Sequence, residues 1–246
     1  MTALTVACRP CRRFDFATMA ADRTSAQPTT LLALETPRQW LVFVLFTVVV
    51  GAVAHALDQS AWQHVRVLDI YDKDLGRLFR LIGYLPTWLF IATAIWLHDR
   101  GERTTRTHGW GWRGGLILLA PTVGGALAEL LKLAVRRLRP PMDTFEYLWR
   151  PFSERPFSTG GLGMPSSHTM VAFAGAAAMA RLFPRAWWMW YLLATACGVT
   201  RVLAVAHFAS DVVVGACLGW AAGVVLTRYM PKAFETNTSE MQANVG

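Results

Sequence analysis

Six stretches of the chain are dominated by apolar side chains: Trp40 to Leu57, Leu81 to Leu97, Gly114 to Val135, Thr169 to Phe183, Trp187 to Ala206 and Val212 to Tyr229. Charged residues gather in the intervals between them. A helix needs about 20 predominantly apolar residues, give or take several, to cross a bilayer core. The pattern therefore predicts an all-α polytopic membrane protein with six transmembrane helices in one bundle. Trp40, Trp62, Trp110, Trp112, Trp187, Trp188 and Tyr229 fall mostly at run ends, where amphipathic rings sit at headgroup level. Gly215, Gly219 and Gly223 form a small-residue stripe along the sixth run. Such a stripe predicts close approach of a neighbour and a central position for this helix.

The flanks and the composition sharpen this picture. Residues 1–39 contain Arg9, Arg12, Arg13, Arg23, Asp15, Asp22 and Glu35 without the apolar core of a signal peptide. They are expected to form a disordered cytoplasmic tail, followed by one membrane domain over residues 40–230 and a short tail over 231–246. Of 246 residues, 54% are hydrophobic and only 16% charged, which argues against an ordinary soluble domain. Cys197 and Cys217 lie inside apolar runs, and Cys8 with Cys11 makes a lone CxxC. Neither a disulfide framework nor a metal site is expected from them. The net charge of +8 is scattered between the apolar runs, which fits anionic lipid better than nucleic acid.

Orientation rests on lysine and arginine placement. Thirteen lie on the N-terminal side and eleven on the other. Several of the eleven sit in the clusters described next, so the remaining bias predicts cytoplasmic termini. The opposite face would then be periplasmic or extracellular, in a cell (inner) membrane. Nothing in the pattern specifies an oligomeric state.

Three clusters put ionisable groups at the ends of apolar runs, where charge is costly unless it meets a cavity or a partner. In the first, Lys132, Arg136 and Arg139 are spaced i, i+4, i+7 before Pro140 and Pro141. On a helix they share one face, suited to a phosphate dianion, although taken alone the stripe is better read as snorkelling toward headgroups. The second is Pro165-Ser166-Ser167-His168 at the start of the fourth run. Its serines fit either plain N-capping or an anion site built on first-turn amides, with His168 as a titratable neighbour. The third holds Arg201, His207 and Asp211 around the turn between the fifth and sixth runs. A carboxylate that accepts one imidazole N–H leaves the other nitrogen free to attack; the same pair could instead tie a loop to a helix. Since the runs alternate direction, all three clusters emerge on one side of the membrane.

A lysine, six residues, then Arg-Pro; a Pro-Ser-x-His; and an arginine, five residues, histidine, three residues, aspartate: these resemble the signatures of the type 2 phosphatidate phosphatase and haloperoxidase superfamily. The match spans residues 132–211. Ser167 stands where the second signature usually has glycine, and Thr200 where a serine usually precedes the arginine of the third. The resemblance implies that Lys132, Arg139, Arg201, Ser166 and Ser167 bind phosphate, with Arg136 as an additional cation. It further implies that His207 attacks phosphorus, Asp211 orients it, and His168 protonates the leaving group. No metal or other cofactor is expected, and the implied partner is a lipid phosphate in the membrane. A lipid-to-lipid phosphotransferase uses the same site. A transporter without turnover is the reading from another class.

Overall fold

The computed structural model of the protein describes residues 34–101 and 112–228. The Cys8–Cys11 pair, Trp110, Tyr229, the C-terminal tail and the N-terminal tail as far as residue 33 lie outside the described residues. Among the described residues there are seven α-helices: α1 (Pro37–His64), α2 (Asp74–Leu81), α3 (Leu85–Gly101), α4 (Trp112–Val135), α5 (Ser167–Leu182), α6 (Trp187–Leu203) and α7 (Ala209–Arg228). No strand longer than an isolated bridge occurs among the described residues. Helices α1, α4 and α7 are each long and apolar enough to cross a membrane. The pair α2 and α3, bent by 67°, makes a fourth if it counts as one span. Helices α5 and α6, with 16 and 17 residues, are shorter than the roughly 20 that a bilayer core takes.

Helix α1 begins before the first apolar residue, because Thr36 and Gln39 form a capping box ahead of Pro37. Its apolar side chains remain largely uncovered: Val42, Val48 and Val49 are each about 60% exposed. A contiguous apolar face on a helix long enough to cross a membrane fits contact with lipid.

The central helix is α5 rather than the expected α7. Ten of its 16 residues are buried, and it packs against α4, α6 and α7. The reason lies in its side chains, since Ala172, Ala174, Ala176, Ala177 and Ala178 let neighbours close in on several sides. The glycine stripe of α7 is the matching surface. A Cβ on Gly219 would come within 2.7 Å of Met170 Cα, and one on Gly223 within 2.6 Å of the Ala174 carbonyl oxygen. Trp88 of α3 fills the space left by Gly175 and donates its ring N–H to the Ile82 carbonyl at 2.9 Å. Between helices in lipid such packing gains van der Waals contact rather than hydrophobic free energy. It holds the start of α5 beside the end of α4 and the start of α7.

Candidate active site

Helix α4 carries Lys132 in its last turn and stops at Val135, because Arg136 adopts a left-handed conformation with φ 58°. The expected helical stripe of Lys132, Arg136 and Arg139 therefore does not form. Arg137 and Leu138 instead make isolated bridges to Trp149 and Leu162, and extended backbone sends alternate side chains to opposite sides. Arg137 turns toward α7. Arg136 turns away, donating to the carbonyls of Arg150 (3.0 Å), Pro151 (2.9 Å), Glu154 (2.6 Å) and Pro156 (3.3 Å), with its guanidinium over Phe152. The additional phosphate cation expected at Arg136 is thus corrected, since its donors hold the 150–156 loop together. Arg139 remains exposed, with its amide on the Gly161 carbonyl. Partial desolvation of its guanidinium within an otherwise exposed residue, then the neighbouring Arg201 charge, push its pKa down from the ordinary value.

The second cluster meets the first directly. Lys132 Nζ donates to Glu129 Oε1 at 2.8 Å and to the Ser167 hydroxyl, which itself donates to Glu129 at 2.6 Å. Ser166 occupies the N-cap position of α5 but makes no side-chain capping bond. Its amide donates to the Asp211 carbonyl at 3.1 Å, and its buried hydroxyl accepts from Thr169. His168 follows, its ring meeting Tyr84 edge-on at 4.7 Å and its Nε2 buried without a hydrogen-bond partner.

The third cluster is built around a strained turn. Val205, β-branched, adopts φ 52°, a conformation that costs about 1–3 kcal/mol unless its surroundings impose it. Around it the amides of Ala206 and His207 both return to the Arg201 carbonyl, so the chain doubles back before α7. Arg201 is buried and donates to the Tyr71 hydroxyl at 2.8 Å. His207 lies just ahead of α7, yet the i, i+4 relation survives because Asp211 Oδ2 caps the Phe208 amide at 2.9 Å. The same oxygen lies 3.6 Å from His207 Nδ1. Burial pushes the His207 imidazole down to about 4, against the pull of Asp211 and helped by the charges of Arg201 and Arg139. A neutral ring with Nδ1 toward the carboxylate leaves Nε2 with a free lone pair.

Sequence reasoning missed the support behind this pair. Arg137 donates to Asp211 Oδ1 and to the Ser210 hydroxyl (2.7 Å). Ser210 in turn places its hydroxyl (2.6 Å) and amide (2.8 Å) on Asp58 of α1. Tyr147 donates to Asp58 at 3.1 Å, and burial, then that carboxylate, push the phenol pKa up. One signal was available: Asp58 stands at the edge of the first apolar run, where an acid is costly unless paired. Glu129, inside the third run, carried the same signal.

Lys132, Ser166, Ser167, His168, Arg201, His207 and Asp211, with Arg139 at the rim, are therefore gathered at one end of the helices, and Arg136 is not. No group of three or more His, Cys, Asp or Glu side chains able to hold a metal occurs among the described residues. Fold and site together define a helical membrane protein with a histidine–aspartate pair set among cations. The PAP2 superfamily matches residues 113–235, half of the chain, and the protein belongs to that family. It is 35% identical over 159 residues to a lipid A 1-phosphatase of Rhizobium johnstonii, covering 60% of this chain and 63% of that protein. A lipid A 1-phosphatase of Rhizobium etli is 34% identical over 159 residues, covering 60% and 66%. The chain thus spans just under two thirds of the length of these relatives. Among solved structures, a transmembrane PAP2 type phosphatidylglycerolphosphate phosphatase from Bacillus subtilis shares the fold, with a TM-score of 0.52 at 18% identity, covering 78% of this chain and 94% of that one.

Proposed function

We propose that the protein is an integral membrane lipid phosphatase that hydrolyses a lipid phosphomonoester or diphosphate through a phosphohistidine. The carrying observation is the buried His207, held down to about 4 beside Asp211 and within the field of Arg201 and Arg139. Phosphoryl transfer is largely positioning and charge stabilisation, which fixed cations can supply. Lys132, Arg139 and Arg201 neutralise the phosphate oxygens, helped by the hydroxyls of Ser166 and Ser167. His207 Nε2 bonds to phosphorus as the bond to the leaving oxygen breaks, and that oxygen takes the electron pair and a proton from His168. Water then cleaves the N–P bond, returns a proton to His168 and releases phosphate, with no cofactor in the cycle. The likeness to two lipid A 1-phosphatases supports lipid A-type phosphates as substrates, beside the polyprenyl diphosphates and phosphatidate-type lipids that the signatures imply.

Purified full-length protein should release phosphate from at least one of these lipids, and His207→Ala should abolish both release and an acid-labile, base-stable phosphoenzyme. Turnover retained in His207→Ala overturns the assignment.

All six apolar runs cross the membrane in this reading, with the short α5 covered by its neighbours and α6 leaving Trp187, Trp188 and Leu192 exposed on one face. The termini are cytoplasmic and the site faces the periplasm or exterior. Phe157, 90% exposed on the loop beside the site, reports the orientation. A cysteine placed there should react with an impermeant thiol reagent in intact cells, and protection until lysis reverses the orientation.

A further inference from the structure

One cation beside the site belongs to none of the three clusters. Arg80, the penultimate residue of α2, places its guanidinium over the ring of Tyr71 at 4.7 Å and that of Tyr84 at 5.5 Å. Each ring touches the site. The Tyr71 hydroxyl accepts from Arg201, and Tyr84 meets the His168 ring. Arg80 Nε is buried without a hydrogen-bond partner, and no carboxylate pairs with the side chain among the described residues. A half-buried cation without a counter-ion is costly. Two aromatic faces offset part of that cost and hold the planar fork in place, yet they leave its charge uncompensated. Its field reaches Arg139, where it adds to the downward push on that guanidinium. The fork is thus oriented, charged and short of partners, as an anion-binding group must be.

Its position says which anion. Arg201 and the Lys132–Ser167 pair surround the phosphate that His207 attacks, whereas Tyr84 ties Arg80 to His168, the residue on the leaving-group side. We propose that Arg80 is a second anion subsite, which binds the phosphate that departs when the substrate is a lipid diphosphate. This rests on the phosphatase reading above. The bond between the terminal phosphorus and the bridging oxygen breaks as the His207–phosphorus bond forms. The bridging oxygen keeps the electron pair, takes the His168 proton and leaves as a lipid monophosphate, whose remaining oxygens sit on Arg80. A monoester leaves as an alkoxide and offers Arg80 no such group.

The test compares farnesyl diphosphate with farnesyl monophosphate, the same chain on both, using the full-length protein in detergent. Arg80→Gln should lower the diphosphate-to-monophosphate ratio of kcat/KM by about 10- to 100-fold, the worth of a hydrogen bond to a charged group, and Arg80→Lys should restore part of it. Inorganic pyrophosphate should inhibit the wild type more strongly than orthophosphate, and Arg80→Gln should erase that difference. An unchanged ratio with equal losses on both lipids overturns the subsite and makes Arg80 a support for the tyrosines, while the phosphatase reading stands. A wild type inert toward both farnesyl lipids but active on another lipid phosphate overturns the diphosphate subsite alone. Inertness toward every lipid phosphate overturns both.

Discussion

The two walls of the candidate site are held in opposite ways. On one, Asp211, Arg137, Ser210 and Asp58 form a buried hydrogen-bonded chain, with His207 Nδ1 facing Asp211 at 3.6 Å. On the other, Arg139 and Arg80 make no side-chain hydrogen bond among the described residues, and Lys132 is shared with Glu129, a carboxylate that is 45% exposed. The difference follows from the tasks proposed for each wall. A nucleophile must be aimed, which favours saturated, low-mobility partners; a phosphate dianion must be attracted, which favours cations whose partners are absent or exchangeable. The first wall therefore joins stability to function, and the second concerns function almost alone.

The largest expected effect, on stability and activity together, comes from breaking the hydrogen-bonded wall. Arg137→Ala removes the cation from a fully buried Asp211, and leaving one member of such a pair unpaired costs on the order of 3–5 kcal/mol. Both the thermal midpoint and kcat should fall steeply, the latter by about 100-fold or more as the imidazole loses its fixed partner. Thermal unfolding in detergent, read beside phosphate release, checks this. A wild-type midpoint in Arg137→Ala would show that the chain is not the support described.

Next comes His168, which touches the boundary between the walls. His168→Ala should cost about 100- to 10,000-fold for a lipid alkoxide, which needs a proton to depart. The loss should be much smaller for an activated aryl phosphate, and the phosphoenzyme on His207 should still form in a rapid-quench experiment. Equal losses on the two leaving groups would remove His168 from the proton-donor role.

The smallest effect is expected on the open wall. Glu129→Gln releases Lys132 and the Ser167 hydroxyl from a competing carboxylate, so KM should fall about two- to fivefold with little change in kcat, given the modest worth of partly exposed ion pairs. Steady-state kinetics decide it, since a rise in KM would make Glu129 a positioning residue for Lys132 rather than a competitor.

Much of this was legible along the chain. The apolar runs locate the helices because membrane burial acts through composition over about 20 residues, a local property. The His207–Asp211 spacing survives although His207 precedes α7, because the Asp211 cap on the Phe208 amide keeps the turn closed. Helix ends were less legible. The spacing of Lys132, Arg136 and Arg139 reads as a helical stripe only if α4 continues to Pro140, and the termination at Val135 depends on a left-handed Arg136 anchored by carbonyls 14 to 20 residues away. No local pattern encodes that anchorage.

The membrane class, the apolar runs and the residue types of the site can be read along the chain, because hydropathy and motif spacing are properties of short segments. Which arginine serves which purpose depends on the folded arrangement. With α4 ended at the left-handed Arg136 and the chain extended from Arg137 on, Arg137 reaches Asp211 and Arg136 reaches the loop. The central position of α5, the support from Asp58 and the caging of Arg80 between Tyr71 and Tyr84 likewise arise from contacts between segments far apart in sequence. Such contacts depend on how close the helices can approach, and that is set by small residues on both partners at once.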